Sequence, residues 1–171
     1  MILKDYVTSD ENCLPFVFYG EGGSGKTAML STAASKSVEE WLAPAKPLLI
    51  VRYCGTTPDS SSLGPLLTSI CQQLSYTLML PFEDIPDDVI PLTAYMKELL
   101  NKATKDQPLL ICLDSVDQLV GSQDGNKMSW LPTKIPPHCK IIVSCTREEG
   151  NETLNKDYEL LRQMIYKEGN F

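Results

Sequence analysis

The chain has 171 residues, 43% of them hydrophobic, which suits one domain able to bury about 70% of the surface its unfolded form exposes. With 15 basic and 22 acidic residues its formal net charge is −7, so its surface repels nucleic-acid phosphate and direct nucleic-acid binding is not expected. No run approaches the roughly 18 consecutive apolar residues of a membrane span and no signal peptide opens the chain, so the expectation is a cytoplasmic protein whose six cysteines are reduced core thiols.

Residues 1–14 are mixed in character and read as the end of a preceding helix plus a linker, with the ordered core running from 15 to 171. Phe16-Val17-Phe18-Tyr19 is an apolar strand, and Gly20-Glu21-Gly22-Gly23-Ser24-Gly25-Lys26-Thr27 joins it to a helix that starts at Ala28. The spacing G-x-x-x-x-G-K-[ST] between a strand and a helix is that of a phosphate-binding loop. Its glycines permit positive φ and close backbone approach, so successive N–H groups can turn into one anion-sized nest at the positive end of a helix. Gly20, Gly22, Gly23, Ser24, Gly25, Lys26, Thr27 and Ala28 are thus the expected phosphate-lining residues. Lys26 supplies an ammonium for the β- and γ-phosphates, and the Thr27 hydroxyl is the expected Mg²⁺ ligand.

In the helix after the loop, Leu30, Ala34, Val38, Trp41 and Leu42 recur at helical spacing until Pro44 and Pro47. Leu48 to Cys54 reads as a strand covered on both faces. It carries Arg52, which pairs with an acid at the sheet end or sits near the nucleotide; both alternatives stay open. Asp59-Ser60 offers an N-cap for a helix whose Leu63, Leu66, Leu67, Ile70, Cys71 and Leu74 form the clearest amphipathic stripe in the chain. After the proline- and acid-rich loop Pro81 to Asp88, Leu92, Tyr95, Met96, Leu99 and Ala103 mark another helix. Leu109 to Leu113 is a third strand ending at Asp114, Gly121 to Asn126 a flexible loop, and Lys140 to Ser144 a fourth strand. Trp130-Leu131-Pro132 packs a loop onto the domain, His138 is a turn residue, and Leu154, Tyr158, Leu161 and Ile165 give a last helix. Strands alternating with amphipathic helices imply right-handed crossovers and an α/β fold: a three-layer αβα sandwich around a parallel sheet. Ligands of such sheets lie at the carboxyl ends of the strands, where Gly20, Asp114 and Ser144 to Arg147 all fall.

Asp114 at a strand tip is suited to hold Mg²⁺ opposite Thr27, and Asp117, three residues on, to orient or deprotonate an attacking water. Arg147, just past the fourth strand, lies where a cation would touch the γ-phosphate and tell triphosphate from diphosphate. Lys26, Asp117 and Arg147 are therefore the catalytic candidates, and Thr27 and Asp114 the metal ligands. Guanine specificity is unsupported, because Asn101-Lys102, Asn126-Lys127 and Asn155-Lys156 lack the Asp of an N-K-x-D motif.

With these three segments in place the chain resembles, over nearly its full length, the NACHT domain of signal-transduction P-loop ATPases. Arg52-Tyr53-Cys54-Gly55-Thr56-Thr57 and Ser129-Trp130-Leu131-Pro132 look like the branch containing NACHT and WD-repeat proteins. The family's strand-end signature is often Asp-Gly-Leu-Asp-Glu, whereas here Asp114-Ser115-Val116-Asp117-Gln118 loses the last acid, which bears on hydrolysis more than on binding. The resemblance implies a fifth strand, then small helical and winged-helix domains. With the chain ending at Phe171, the expectation is a sheet truncated before that strand and a nucleotide site open on one side.

The expected function is a switch that binds ATP (or ADP) with Mg²⁺, hydrolyses ATP slowly, and couples nucleotide state to assembly with other protein domains or protomers. The alternatives are a small-molecule or nucleoside kinase, against which the loop Gly121 to Asn126 carries no lid arginine, and a nucleotide-binding scaffold without hydrolysis.

Overall fold

The computed structural model describes residues 2–11, 13–120 and 128–168, the last three without their side chains; the expected loop Gly121 to Asn126 lies outside the described residues. Four strands, β1 (Phe16–Gly20), β2 (Leu48–Tyr53), β3 (Leu109–Asp114) and β4 (Cys139–Thr146), form one parallel sheet in the order β1-β4-β3-β2. The helices are α1 (Ile2–Thr8), α2 (Lys26–Lys36), α3 (Leu63–Thr77), α4 (Val89–Leu100) and α5 (Lys156–Glu168).

β3 is buried along its whole length because alternate residues enter two separate cores. Leu109, Ile111 and Leu113 meet α3, α4 and α5 through Leu67, Ile70, Leu92, Met96 and Leu161. Leu110 and Cys112, with Ile142, meet α1 and α2 through Leu3, Val7, Leu30, Ala33 and Ala34. Helices therefore cover both faces, the three-layer arrangement expected from the alternation of elements.

The packed body extends back beyond Pro15. The stretch read as a helix end and linker contains α1, whose Leu3, Tyr6 and Val7 are buried against the sheet. Tyr6 fixes it: the phenol O–H reaches the Leu14 carbonyl at 2.8 Å and the Ile141 carbonyl at 3.0 Å. Burial raises the Tyr6 phenol well above its ordinary pKa, the backbone bond to Ile141 opposing.

Three local departures have physical causes. Val38 is exposed rather than on the core stripe, because α2 runs into a wider π-helical turn at Ser37–Trp41 that rotates the following residues. Ser37 takes the buried place and donates to the Ala33 carbonyl at 2.6 Å. Asp59-Ser60 does not cap α3. It sits in a short 3₁₀ turn, Asp59–Ser61, where Thr57 N donates to Ser60 Oγ at 2.7 Å and Ser60 N to Thr57 Oγ1 at 3.2 Å. β4 runs past the expected Lys140 to Ser144, because Cys139 pairs with Leu109 and Cys145 with Tyr19, both cysteines fully inside the core.

Candidate functional site

The carboxyl ends of β1, β3 and β4 converge on one site. β1 and β4 stay paired to Gly20 and Thr146, and the Arg147 amide donates to the Gly20 carbonyl at 3.1 Å, so the first residue of the phosphate loop lies beside the end of β4. Gly23 and Gly25 have φ of 75° and 84°, and Gly25 is the N-cap of α2, a left-handed position that side chains resist. At Gly20 a Cβ would stand 2.8 Å from Ser24 Oγ. These glycines let the backbone curl tightly at the start of an 11-residue helix, the geometry that receives phosphate.

Lys26 folds its ammonium back over the loop, donating to the Gly20 carbonyl at 2.9 Å and the Glu21 carbonyl at 2.8 Å. Both bonds are to neutral acceptors that an anionic phosphate can replace. One residue on, Thr27 Oγ1 donates to Asp114 Oδ2 at 2.6 Å. The two expected metal ligands are thus in contact, a pair of hard oxygens of the kind that Mg²⁺ takes together with phosphate oxygens and water.

Asp114 is held from its other side as well. Only 4% of its surface is exposed, and the fully buried Ser144 donates its hydroxyl to Oδ1 while accepting the Ser115 amide at 2.8 Å. That last bond spans β3 and β4 and steadies Ser115, whose φ of 56° is left-handed without being glycine. The strand end is electronegative. Burial first, then the charges of Asp114 and Asp117, push the Cys54 thiol up to about 12. Burial and Asp117 do the same to Cys145, with Lys26 acting in the opposite sense.

Asp117 lies in a short 3₁₀ turn, Val116–Gln118, and accepts from two directions: the Thr146 amide meets Oδ1 at 3.1 Å and Gln118 Nε2 meets Oδ2 at 2.9 Å. Arg147 is joined to the site by its backbone, but its exposed guanidinium rests over the rings of Tyr19 and Tyr158, 5.4 and 5.2 Å from their centroids. Arg52 takes neither of its two anticipated roles. Its Nε donates to Ser69 Oγ at 2.9 Å and its Nη2 to Gln73 Oε1 at 2.9 Å, so it ties β2 to α3, and burial lowers its pKa. His138, at φ 62°, is a loop residue before β4, and Trp130 and Leu131 are buried in the larger core.

The sequence placed Ser144 at the ligand end of the sheet and marked Gln118 as the place of the lost acid, but not their contacts with Asp114 and Asp117, nor Tyr19 and Tyr158 as the platform under Arg147. Ser144 carried a usable signal, a small hydroxyl interrupting a buried apolar strand near its carboxyl end; the others depend on side-chain directions that motif spacing does not encode.

The NACHT domain family profile matches residues 14–168. The chain is 33% identical over 161 residues to human "NACHT and WD repeat domain-containing protein 2", covering 92% of this chain and 9% of that protein. It is 31% identical over 134 residues to human "NACHT domain- and WD repeat-containing protein 1", covering 76% of this chain and 8% of that protein. It is also 26% identical over 143 residues to rat "Telomerase protein component 1", covering 80% of this chain and 5% of that protein. The chain therefore spans about a tenth or less of the length of these relatives. Among solved structures, the Orc1 protein of Aeropyrum pernix in complex with DNA superposes with a TM-score of 0.62 at 12% identity, over 96% of this chain and 41% of that one, a likeness of fold alone.

Proposed function

The chain belongs to the NACHT domain family of P-loop nucleoside triphosphatases, nucleotide-binding domains as a class, and on that footing we propose that it is an ATP- and Mg²⁺-binding switch module that hydrolyses ATP slowly. The observation that carries this reading is the 2.6 Å contact between Thr27 and Asp114 directly beneath the phosphate loop, with the Lys26 ammonium one residue away. Mg²⁺ bound there would neutralise charge on the β- and γ-phosphate oxygens. The glycine loop and the start of α2 bind the phosphates, Lys26 exchanges two loop carbonyls for phosphate oxygens, and Ser144 keeps Asp114 aimed at Thr27. Asp117 receives a proton from the attacking water, and Arg147 exchanges its aromatic contacts for the γ-phosphate when triphosphate is present.

The output is a difference in structure between ATP and ADP states that adjoining domains or further protomers read, in the cytoplasm. No helix among the described residues is long and apolar enough to cross a membrane. Two bonds engaging the Asp117 carboxylate favour slow turnover, and taken to its limit the same observation favours a nucleotide-bound scaffold without hydrolysis. Calorimetry with Mg·ATP on the parent and on Lys26→Ala tests the assignment. Loss of binding in the variant is expected, whereas equal affinity would overturn it. Transfer of the γ-phosphate to a small-molecule acceptor rather than to water would instead favour a kinase.

A further inference from the structure

Gln118 is in contact with the proposed water-activating carboxylate, and its surroundings hold it there. Its side chain fills the space over Gly55: a Cβ on that glycine would stand 2.6 Å from Gln118 Cβ and 3.0 Å from Cγ. Gly55 has φ 78° and its amide donates to the Ser60 carbonyl at 3.2 Å, so the loop after β2 forms a fixed wall along the glutamine stem. At the far end Nε2 lies 2.9 Å from Asp117 Oδ2. A carboxylate only accepts, so it is the amide NH₂, and not the amide oxygen, that faces it. Thr146 N holds the other oxygen at 3.1 Å.

We propose that Gln118 is a positioning residue that restrains hydrolysis: wedged against Gly55, it donates to Asp117 Oδ2 and so occupies the oxygen on which an attacking water would be oriented. This rests on the nucleotide-switch reading above. In the step concerned, the water oxygen forms a bond to the γ-phosphorus and the bond from that phosphorus to the bridging β-γ oxygen breaks. The electron pair leaves with ADP, and the water proton passes to Asp117 and then to solvent. A donor already bonded to Oδ2 takes the place in which the water would be held in line with the γ-phosphorus, which slows this step and leaves phosphate binding untouched. The energetic logic favours persistence of the contact, because a stem confined by a backbone wall has little rotamer freedom left to lose on making the bond.

The test uses two apolar variants, Gln118→Met and Gln118→Leu, neither of which has the amide donor or adds a carboxylate. The readouts are single-turnover cleavage of γ-labelled Mg·ATP and calorimetric affinity for Mg·ATP and Mg·ADP. Both variants are expected to cleave about three- to tenfold faster than the parent, with nucleotide affinities within twofold. Adding Asp117→Asn to Gln118→Met should abolish the gain, which a merely structural role of Gln118 would not require. Equal or slower cleavage in both variants, or a gain that survives Asp117→Asn, would overturn the inference. So would absence of cleavage in every protein with ATP affinity intact, an outcome that leaves the binding reading standing. If the parent itself fails to bind Mg·ATP, the switch reading falls and this inference with it.

Discussion

Replacing Ser144 by alanine removes one oxygen atom from the middle of the site and tests how Asp114 is held. The hydroxyl is fully buried and serves two bonds, donating to Asp114 Oδ1 and accepting the Ser115 amide at 2.8 Å. A hydrogen bond to a charged group contributes about 1.5–3 kcal/mol, and a buried donor left unpaired costs about 1–3 kcal/mol. The two overlap, because Ser115 and the β3 end can relax together, so the expected loss is about 2–4 kcal/mol. For a domain of this length that lowers the melting temperature by about 4–12 °C. Urea unfolding of the parent, Ser144→Ala, Asp114→Asn and the double variant gives the cycle. Asp114→Asn already weakens the same bond, so the double variant should be more stable than the sum of the single losses predicts, by about 1–2 kcal/mol. Mg·ATP affinity of Ser144→Ala should fall about tenfold, the usual penalty for freeing a metal ligand from its support. A loss below about 0.5 kcal/mol, or strict additivity with Asp114→Asn, would refute the claim that Ser144 orients Asp114.

Tyr6→Phe keeps the ring in the smaller core and removes the hydroxyl that bridges Leu14 and Ile141, and it should cost about 1–2 kcal/mol in the same urea assay; no change would mean that α1 is an appendage. Cys54, Cys71, Cys112, Cys139 and Cys145 are buried and only Cys13 is exposed, so one thiol should react quickly with a disulfide reagent in the native protein and six after unfolding. Burial is the first cause that pushes those five thiols from an ordinary 9.0 to about 12. Between these values the folded chain keeps protons that the unfolded chain releases, so stability is intact below about pH 9 and declines as pH rises towards 12. A flat stability profile across that window would contradict the burial of the thiols.

The phosphate loop, the order of strands and helices and the pairing of Thr27 with Asp114 were legible in sequence because each has a local signature. A fixed glycine spacing, an acid closing an apolar strand and stripes at helical period all survive without knowledge of distant neighbours. What escaped was decided by backbone phase, by elements too short to show a period, or by distant neighbours. The Val38 stripe failed because a single π-turn changes the phase of everything after it, and Ser37 back-bonding to Ala33 is compatible with an ordinary helix too. Arg52 was read by its place in an apolar strand, yet its partners Ser69 and Gln73 lie one helix later, on a face that only the packed fold brings over it. α1 looked peripheral because its seven residues hold just three buried side chains, too few to register as a periodic pattern.

Gly20 and Asp114 show how much of the site is already committed before a ligand enters. Lys26 is satisfied by loop carbonyls and Thr27 by Asp114, so on the switch reading Mg·ATP would displace at least three existing bonds, and only the excess of the new bonding over the old would appear as affinity. The same commitments define where a change would spread. Gly20 shares a backbone bond with Arg147, Arg147 lies across Tyr19 and Tyr158, and Tyr158 belongs to α5; Asp117 meanwhile pins Thr146 at the end of β4. On the switch reading, a swing of the Arg147 guanidinium would act first on α5 and the β4 end, whereas a shift of the phosphate loop would also reach the β3 end through Thr27 and Asp114. The Asp114–Ser144–Ser115 chain ties the β3 end to β4, so on the switch reading the two strand ends would move together rather than separately.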